Sequence, residues 1–326
     1  MIVSLIGYYG VRTWILGGMA VRVQRGDCTV AANMTQPIQV QKYVSLSAER
    51  LRGNHRIGNH LFMFATFVFI GARTGRVVAM SKSGWLLDEA FDVDVTRVDT
   101  ADHLCPCRAL LSPEYNYDKT FDNPSEMVQL TAVINRTLVF GHFAQTYRCA
   151  AAVEKSLRKV LRFRKDIFDE ASRVRMEIRL ADGWNWFTVG VHIRRGDFLQ
   201  FDLFGLTVVD AEYLQRAFEY FTMRYTRIKF IIATKNWTWT STNLPTGLDT
   251  STTQVIHTGN NTAGVDLAIL SLCDAVVVST GSFEWWAAWL ANTATFYYNN
   301  WPRPGSQLAR TQDKAGYFPP HWIPFD

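Results

Sequence analysis

The sequence predicts an α/β protein of about two domains, the C-terminal one a regular doubly wound sheet. Three observations carry that expectation. The second half alternates short apolar runs with amphipathic segments, the spacing of strand–helix units. In the first half a glycine- and asparagine-rich loop opens a strongly apolar helix, and a strand follows it. The chain has 326 residues, 48% hydrophobic and 19% charged, which is room for two cores. That composition excludes a disordered chain, a collagen and a small disulfide-stapled module.

Residues 1–21 form a candidate signal anchor. They are mostly apolar, but Arg12 interrupts them and Gly7, Gly10, Gly17 and Gly18 dilute them. A signal-like leader, a truncated gene start and a buried first strand over 2–6 are the other readings. Residues 22–42 are polar and patternless and read as a stem or linker. The N-terminal domain is expected over 43–184. It holds a loop over 53–59, a helix over 60–70 closed by Gly75, and a strand over 76–80. Pro106, Pro113 and Pro124 then break the pattern. A strand is expected over 138–140 and a helix over 150–163. A second amphipathic helix over 168–180 is read as a bridge between domains. The C-terminal domain is expected over 185–326. Its strands fall at 188–193, 228–233, near Val255, at 275–279 and at 295–298. Its helices fall at 210–225, 264–272 and 283–290.

The net charge is +5, and Arg outnumbers Lys among the 34 basic residues. The densest basic stretch, 158–165, is followed at once by Asp166, Asp169 and Glu170. It reads as a solvated helix face and gives no sign of nucleic-acid binding. Isolated Arg pairs suit a small anionic ligand better than a long polyanion. Five cysteines cannot all pair within one chain, and Cys105-Pro106-Cys107 is too tight for zinc spacing. Four sequons, at Asn33, Asn135, Asn236 and Asn260, hint at a luminal or secreted chain.

The strongest local feature is Val189-Gly190-Val191-His192-Ile193-Arg194-Arg195-Gly196-Asp197-Phe198. An apolar strand runs straight into two arginines. Ligands of open α/β sheets bind at the carboxyl ends of strands, and an arginine fork suits phosphate. Alternation points His192 and Arg194 to one side and Arg195 to the other. Asp197 can hold one guanidinium in place. No Gly-x-Gly-x-x-Gly follows a strand, which argues against a dinucleotide dehydrogenase.

His192-Ile193-Arg194-Arg195-Gly196-Asp197 resembles the His-x-Arg-Arg-x-Asp signature of the α1,2-fucosyltransferases, glycosyltransferase family 11. Ile57-Gly58-Asn59-His60-Leu61-Phe62 is similar to the family's Leu-Gly-Asn-Gln-Leu-Phe. Gly141-His142-Phe143-Ala144-Gln145 resembles its Gly-Tyr-Phe-Gln-Ser segment. Asp266 to Asp274, followed by Gly281-Ser282-Phe283-Glu284-Trp285-Trp286, is close to its C-terminal motif. The ordered set spans about residues 54 to 298. The chain departs from the family at His60, where Gln is usual, and Gln145 stands one residue late. Glu284 occupies a variable position.

The resemblance implies a GT-B-like fold of two facing Rossmann-like domains. The first domain would be the acceptor side, with Asn59, His60 and Gln145 as candidates. The second would bind GDP-fucose through His192, Arg195, Asp266, Ser282 and Phe283, with Arg194, Arg195 and Asp197 as catalytic candidates. It implies inverting transfer from GDP-fucose to a terminal β-galactoside glycan. No cofactor is expected, and the enzyme would be metal-independent; the metal reading of Asp92-Val93-Asp94 is set aside. Rival readings are α1,6- or protein O-fucosyl transfer, and an inactive sugar-binding relative. Arg195 is expected at the diphosphate. Ser282 is either an N-cap-like donor to it or an ordinary helix cap, and Asp266 either touches the nucleotide or caps a helix. General-base candidates are Asp197, Glu284, His60 and His142, with none assigned. The location implied is the Golgi lumen, as a single-pass type II membrane protein if the N-terminal segment anchors.

Overall fold

The computed structural model describes residues 3–6, 11–16, 19–24, 42–46, 56–98, 108–112, 124–132, 137–140, 144–180 and 185–325. The chain is α/β and forms two compact sheet-containing units, in keeping with the GT-B-like class. Unit one comprises Met1–Asp88, Val93–Val160 and Thr311–Tyr317. Unit two comprises Glu89–Asp92, Leu161–Arg310 and Phe318–Asp326.

The sheet of unit one contains β1 (Val3–Ile6), β2 (Val11–Leu16), β3 (Met19–Gln24), β4 (Tyr43–Leu46), β5 (Val77–Ser81), β6 (Thr96–Val98), β7 (Arg108–Ser112) and β8 (Thr137–Phe140). Their order is β1-β2-β3-β7-β8-β4-β5-β6. From β7 to β6 the neighbours run parallel, and β1 to β3 add an antiparallel meander on β7. The segment read as a candidate anchor thus holds β1, β2 and the start of β3. Its glycines fall between those strands. Among the described residues no helix is long and apolar enough to cross a membrane.

Helix α1 (Ile57–Thr74) is apolar nearly all round and is buried accordingly. It starts at Ile57, so Gly58, Asn59 and His60 lie in its first turn and not in a preceding loop. The next helix is α2 (Pro124–Ala132). The helix expected over 150–163 is two short ones, α3 (Tyr147–Ala152) and α4 (Glu154–Val160), separated at Val153. Thr146 starts α3, its hydroxyl accepting from the Arg148 N–H at 3.2 Å.

Unit two begins with α5 (Lys165–Leu180). This helix lies before the boundary expected at 184, yet it packs in unit two. Its Ala171 is buried with Ile231, Val265, Ala268, Ile269 and Cys273. Its outer face carries Lys165–Asp169 and Arg173–Glu177 pairs, which contribute little because they are solvated. Then follow β9 (Phe187–Ile193), α6 (Ala211–Thr222), β10 (Ile228–Thr234), α7 (Trp237–Thr242), β11 (Thr253–His257), α8 (Ala263–Ser271), β12 (Ala275–Val278), α9 (Ser282–Ala291), β13 (Ala294–Tyr298) and β14 (Ile323–Phe325). The sheet order is β11-β10-β9-β12-β13-β14, all parallel. The chain works outward from β9 to β11, then returns to the other side of β9 as β12. Strand order therefore reverses between β9 and β12, and a crevice opens there at the carboxyl ends of the strands.

One half-buried carboxylate ties β9 to the strand beside it. Asp274, just before β12, accepts from the Thr188 N–H at 2.9 Å, the Thr188 hydroxyl at 2.7 Å and Arg179 at 2.8 Å. Burial raises its pKa, but the Thr188 bonds and the Arg179 charge outweigh that and hold it below the ordinary value. A lowered carboxylate pKa stabilises the fold above the unfolded value of about 4 and loses that contribution as pH falls through the folded value. Asp274→Asn is expected to cost about 2 kcal/mol at pH 7 and to flatten the acid limb of the stability curve below about pH 4. Urea titrations of both proteins from neutral pH downward check this, and parallel acid limbs contradict it.

Candidate active site

The crevice of unit two is lined by two strand-end loops. One leaves β9 as Arg194, Arg195, Gly196 and Asp197. The other leaves β12 as Ser279, Thr280 and Gly281 and enters α9. The two are joined, since the Arg194 N–H donates to the Ser279 hydroxyl at 3.1 Å.

The arginines part as strand alternation requires. Arg194 donates from Nη2 to Asp197 at 2.7 Å, and its guanidinium lies 5.0 Å from the Phe198 ring centre. Asp197 is thus engaged by Arg194. Arg195 turns the other way. Its Nη1 donates to the Val209 carbonyl at 2.7 Å, and its guanidinium lies over Trp239, 3.7 Å from the ring centre. Its Nε is buried without a hydrogen bond. Burial lowers its pKa somewhat, Asp210 opposes that, and an arginine stays charged regardless. Arg195 is therefore a half-buried cation, fixed on one side and with donor capacity left over.

Trp239 was not expected from sequence. It sits in α7, whose cap is Asn236: the Asn236 side chain accepts from the Trp239 N–H at 3.1 Å. In the same helix Trp237 stacks on His257, at 4.4 Å and 17°.

On the β12 side, Ser282 is the first residue of α9 and Gly281 holds the cap position, so a Ser282 side-chain cap is not what starts the helix. The cap comes from Glu284, whose carboxylate accepts from the Gly281 N–H. Phe283 lies against the His192 ring at 4.9 Å. Trp285 and Trp286 are both fully buried. Asp266 stands in the first turn of α8, buried, and accepts from the Asn261 side chain at 3.2 Å.

Glu284, one of the general-base candidates, is 1% exposed. Its Oε1 accepts from Ser279 Oγ at 2.6 Å, the Thr280 N–H at 2.9 Å and the Gly281 N–H at 2.5 Å. Its Oε2 lies 3.1 Å from His192 Nδ1. Burial raises the carboxyl pKa, but the His192 charge and contact, with the Ser279 hydroxyl, outweigh it and hold the group below the ordinary range. A carboxylate so enclosed cannot reach an acceptor hydroxyl.

In unit one the structure brings together two candidates that lie far apart in sequence. Gln145 donates from Nε2 to Asn59 Oδ1 at 2.7 Å, and the Gln145 carbonyl accepts from Gln312. His60 is fully buried; its Nδ1 accepts from the Leu86 N–H at 3.1 Å and its ring meets Trp85 edge-on. It holds the segment after β5 in place and is not available to touch a sugar. His142, Asn33 and Asn135 lie outside the described residues. Of the other sequons, Asn260 is exposed and Asn236 caps α7. Cys149 and Cys273 are buried. Asp88, close to the Asp92-Val93-Asp94 triplet, pairs with Arg97 at 2.8 Å. Among the described residues no group of three or more His, Cys, Asp or Glu could hold a metal ion.

A half-buried cation and a helix N-terminus follow the two strands that flank the switch point of a parallel sheet. That arrangement suits a small ligand carrying concentrated negative charge. The sequence profile described as Glycosyl transferase family 11 matches residues 18–325. The galactoside alpha-(1,2)-fucosyltransferase 1 of Rattus norvegicus is 26% identical over 277 residues, covering 82% of this chain and 70% of its own. The Bos taurus protein of the same name is 27% identical over 277 residues, with coverage of 82% and 73%. Among solved structures, Se-Met fucosyltransferase NodZ from Bradyrhizobium aligns with a TM-score of 0.52 at 14% identity, covering 76% of this chain and 91% of that one. NodZ alpha-1,6-fucosyltransferase soaked with GDP-fucose gives the same score and identity, with coverage of 77% and 92%. At such identity the likeness is one of fold.

Proposed function

Since the chain belongs to glycosyltransferase family 11, we propose that it transfers L-fucose from GDP-β-L-fucose to the 2-hydroxyl of a terminal β-galactoside, with inversion at C1. The observation that carries this reading is Arg195, a cation held by Trp239 and Val209 at the β9 end of the switch crevice. In the reaction the bond from fucose C1 to the β-phosphate oxygen breaks and a bond from C1 to the acceptor oxygen forms. Negative charge accumulates on the departing GDP while C1 becomes oxocarbenium-like. Arg195 and the N-terminus of α9 are the groups suited to that charge. A cation already fixed in place gives up little freedom when the charge develops. The acceptor hydroxyl loses its proton to a phosphate oxygen of the departing GDP as C1–O forms. Asp197 is engaged by Arg194 and Glu284 is enclosed, so neither is assigned as the base.

The donor belongs to unit two on this reading and the acceptor to unit one, where Asn59 and Gln145 form one polar pair. The sequons support a Golgi-lumen setting; use of the apolar N-terminal stretch as a type II anchor requires it to leave the sheet in which it forms β1, β2 and the start of β3.

A glycan array with GDP-fucose in excess EDTA, followed by linkage analysis, tests the reading. The expected product is an α1,2-fucoside on terminal β-galactose, formed at an unchanged rate with chelator. An α1,6-linked or peptide-linked product reassigns the acceptor, and activity that returns only with manganese revives the Asp92-Val93-Asp94 triplet. No product and no GDP-fucose hydrolysis points to a sugar-binding relative.

A further inference from the structure

Glu284 makes more contacts at the crevice than a helix cap requires. One oxygen collects a hydroxyl and two backbone N–H groups from the β12 loop. The other faces the ring of His192, the penultimate residue of β9. The carboxylate therefore spans the two sides of the switch point from below, and it is the acid of this buried cluster. Through Ser279 it also supports the Arg194 N–H.

The contact fixes the chemistry of the ring. The two atoms lie 3.1 Å apart without hydrogen-bond geometry, but a carboxylate only accepts, and an unprotonated Nδ1 there would set lone pair against lone pair, so Nδ1 is the nitrogen expected to carry a proton. The other nitrogen, Nε2, has no hydrogen bond to any described residue, and the His192 side chain keeps 11% exposure. A carboxylate–imidazole couple of this form sets both the orientation and the tautomer of the ring.

The geometry points to Glu284 as a positioning residue for the donor step: it holds His192 with Nδ1 protonated and Nε2 left for the ligand, and it locks the Ser279–Gly281 loop with the same carboxylate. The assignment rests on the donor reading above. Glu284 touches no substrate itself; it acts through His192 and the loop.

Glu284→Gln separates this role from simple packing. The three donors at Oε1 require the amide oxygen there, which turns the amide NH2 toward His192. The ring must then accept at Nδ1 and carry its proton on Nε2. Nitrogen-15 NMR of the histidine rings reads the change, with the His192 signal identified by its loss in His192→Gln. The expected result is a protonated Nδ1 in the wild type and an unprotonated one in Glu284→Gln. Transfer from GDP-fucose should fall about tenfold or more in kcat/KM, with the melting transition retained. Ser279→Ala removes the hydroxyl's bonds to Glu284 and to the Arg194 N–H and leaves the ring contact, so it should keep the wild-type tautomer.

An unprotonated Nδ1 in the wild type overturns the proposal without recourse to any variant. So does a changed His192 tautomer in Ser279→Ala, which leaves the Glu284 contact with the ring in place. Calorimetry with GDP runs alongside. Absence of GDP binding by the wild type overturns the donor reading and this proposal with it. Intact GDP binding with a Glu284-independent tautomer overturns this proposal alone.

Discussion

Arg195→Ala abolishes fucosyl transfer while the protein still folds. The expected loss in kcat/KM for GDP-fucose is about 10³-fold or more, the scale on which a fixed cation at a departing phosphate acts. The fold survives because Arg195 is only half-buried, and among the described residues its one hydrogen bond is to the Val209 carbonyl. Arg195→Lys recovers little. An ammonium keeps the charge but lacks the planar face that lies on Trp239 and the fork that bonds Val209 and ligand together. Donor turnover near the wild-type rate in Arg195→Ala, measured with labelled GDP-fucose beside a thermal melt, would remove the diphosphate assignment.

Gly205→Ala is the substitution expected to harm the fold most. Gly205 has φ of 117°, in the region that side chains avoid. A Cβ built there would stand 2.2 Å from Ser306 Oγ and 2.7 Å from Ser306 Cβ. The Gly205 carbonyl also accepts from the Arg303 N–H at 3.1 Å, so the segment cannot swing away freely. Backbone strain and overpacking add, and a cost of about 3 kcal/mol or more follows. The damage extends to the site. The residues just after Gly205 supply the Thr207 carbonyl that accepts from Thr280 and the Val209 carbonyl that accepts from Arg195. Urea unfolding measures the first effect and GDP affinity the second; a midpoint within error of the wild type refutes the steric account.

Much of unit two could be read from the chain. Its central strands β10 and β12 are short, mainly apolar runs buried along their whole length in a parallel sheet. The β9 loop stood out because charge so rarely follows such a strand directly. Local pattern carries less about contacts made over long separations. Asn59 and Gln145 meet across 86 residues, and nothing in either neighbourhood announces it. Trp239 lies in a Thr-rich segment without helical periodicity, so its place beneath Arg195 was invisible. Glu284 read as a candidate base because a carboxylate beside a ligand motif invites that role; only the fold turns it inward. His60 followed a recognisable Gly-Asn step, yet α1 buries nearly every face and takes the imidazole with it. The helix over 150–163 was expected to be continuous because its apolar positions keep helical spacing through Val153, where the backbone departs from helix.

The path of the chain through unit two has a consequence for synthesis. After Arg310 the polypeptide leaves that unit for Thr311–Tyr317 and returns only with Phe318–Asp326. The returning segment brings β14, which pairs with β13, and also Phe318 and Trp322, which pack on Tyr297 and Trp285. Until those residues emerge from the ribosome, β13 is an open parallel edge beside uncovered aromatic rings. Such an edge is a template for pairing with another chain. A chain in which Phe318–Phe325 has not docked therefore carries an exposed pairing edge, and intermediates of that kind are prone to aggregate.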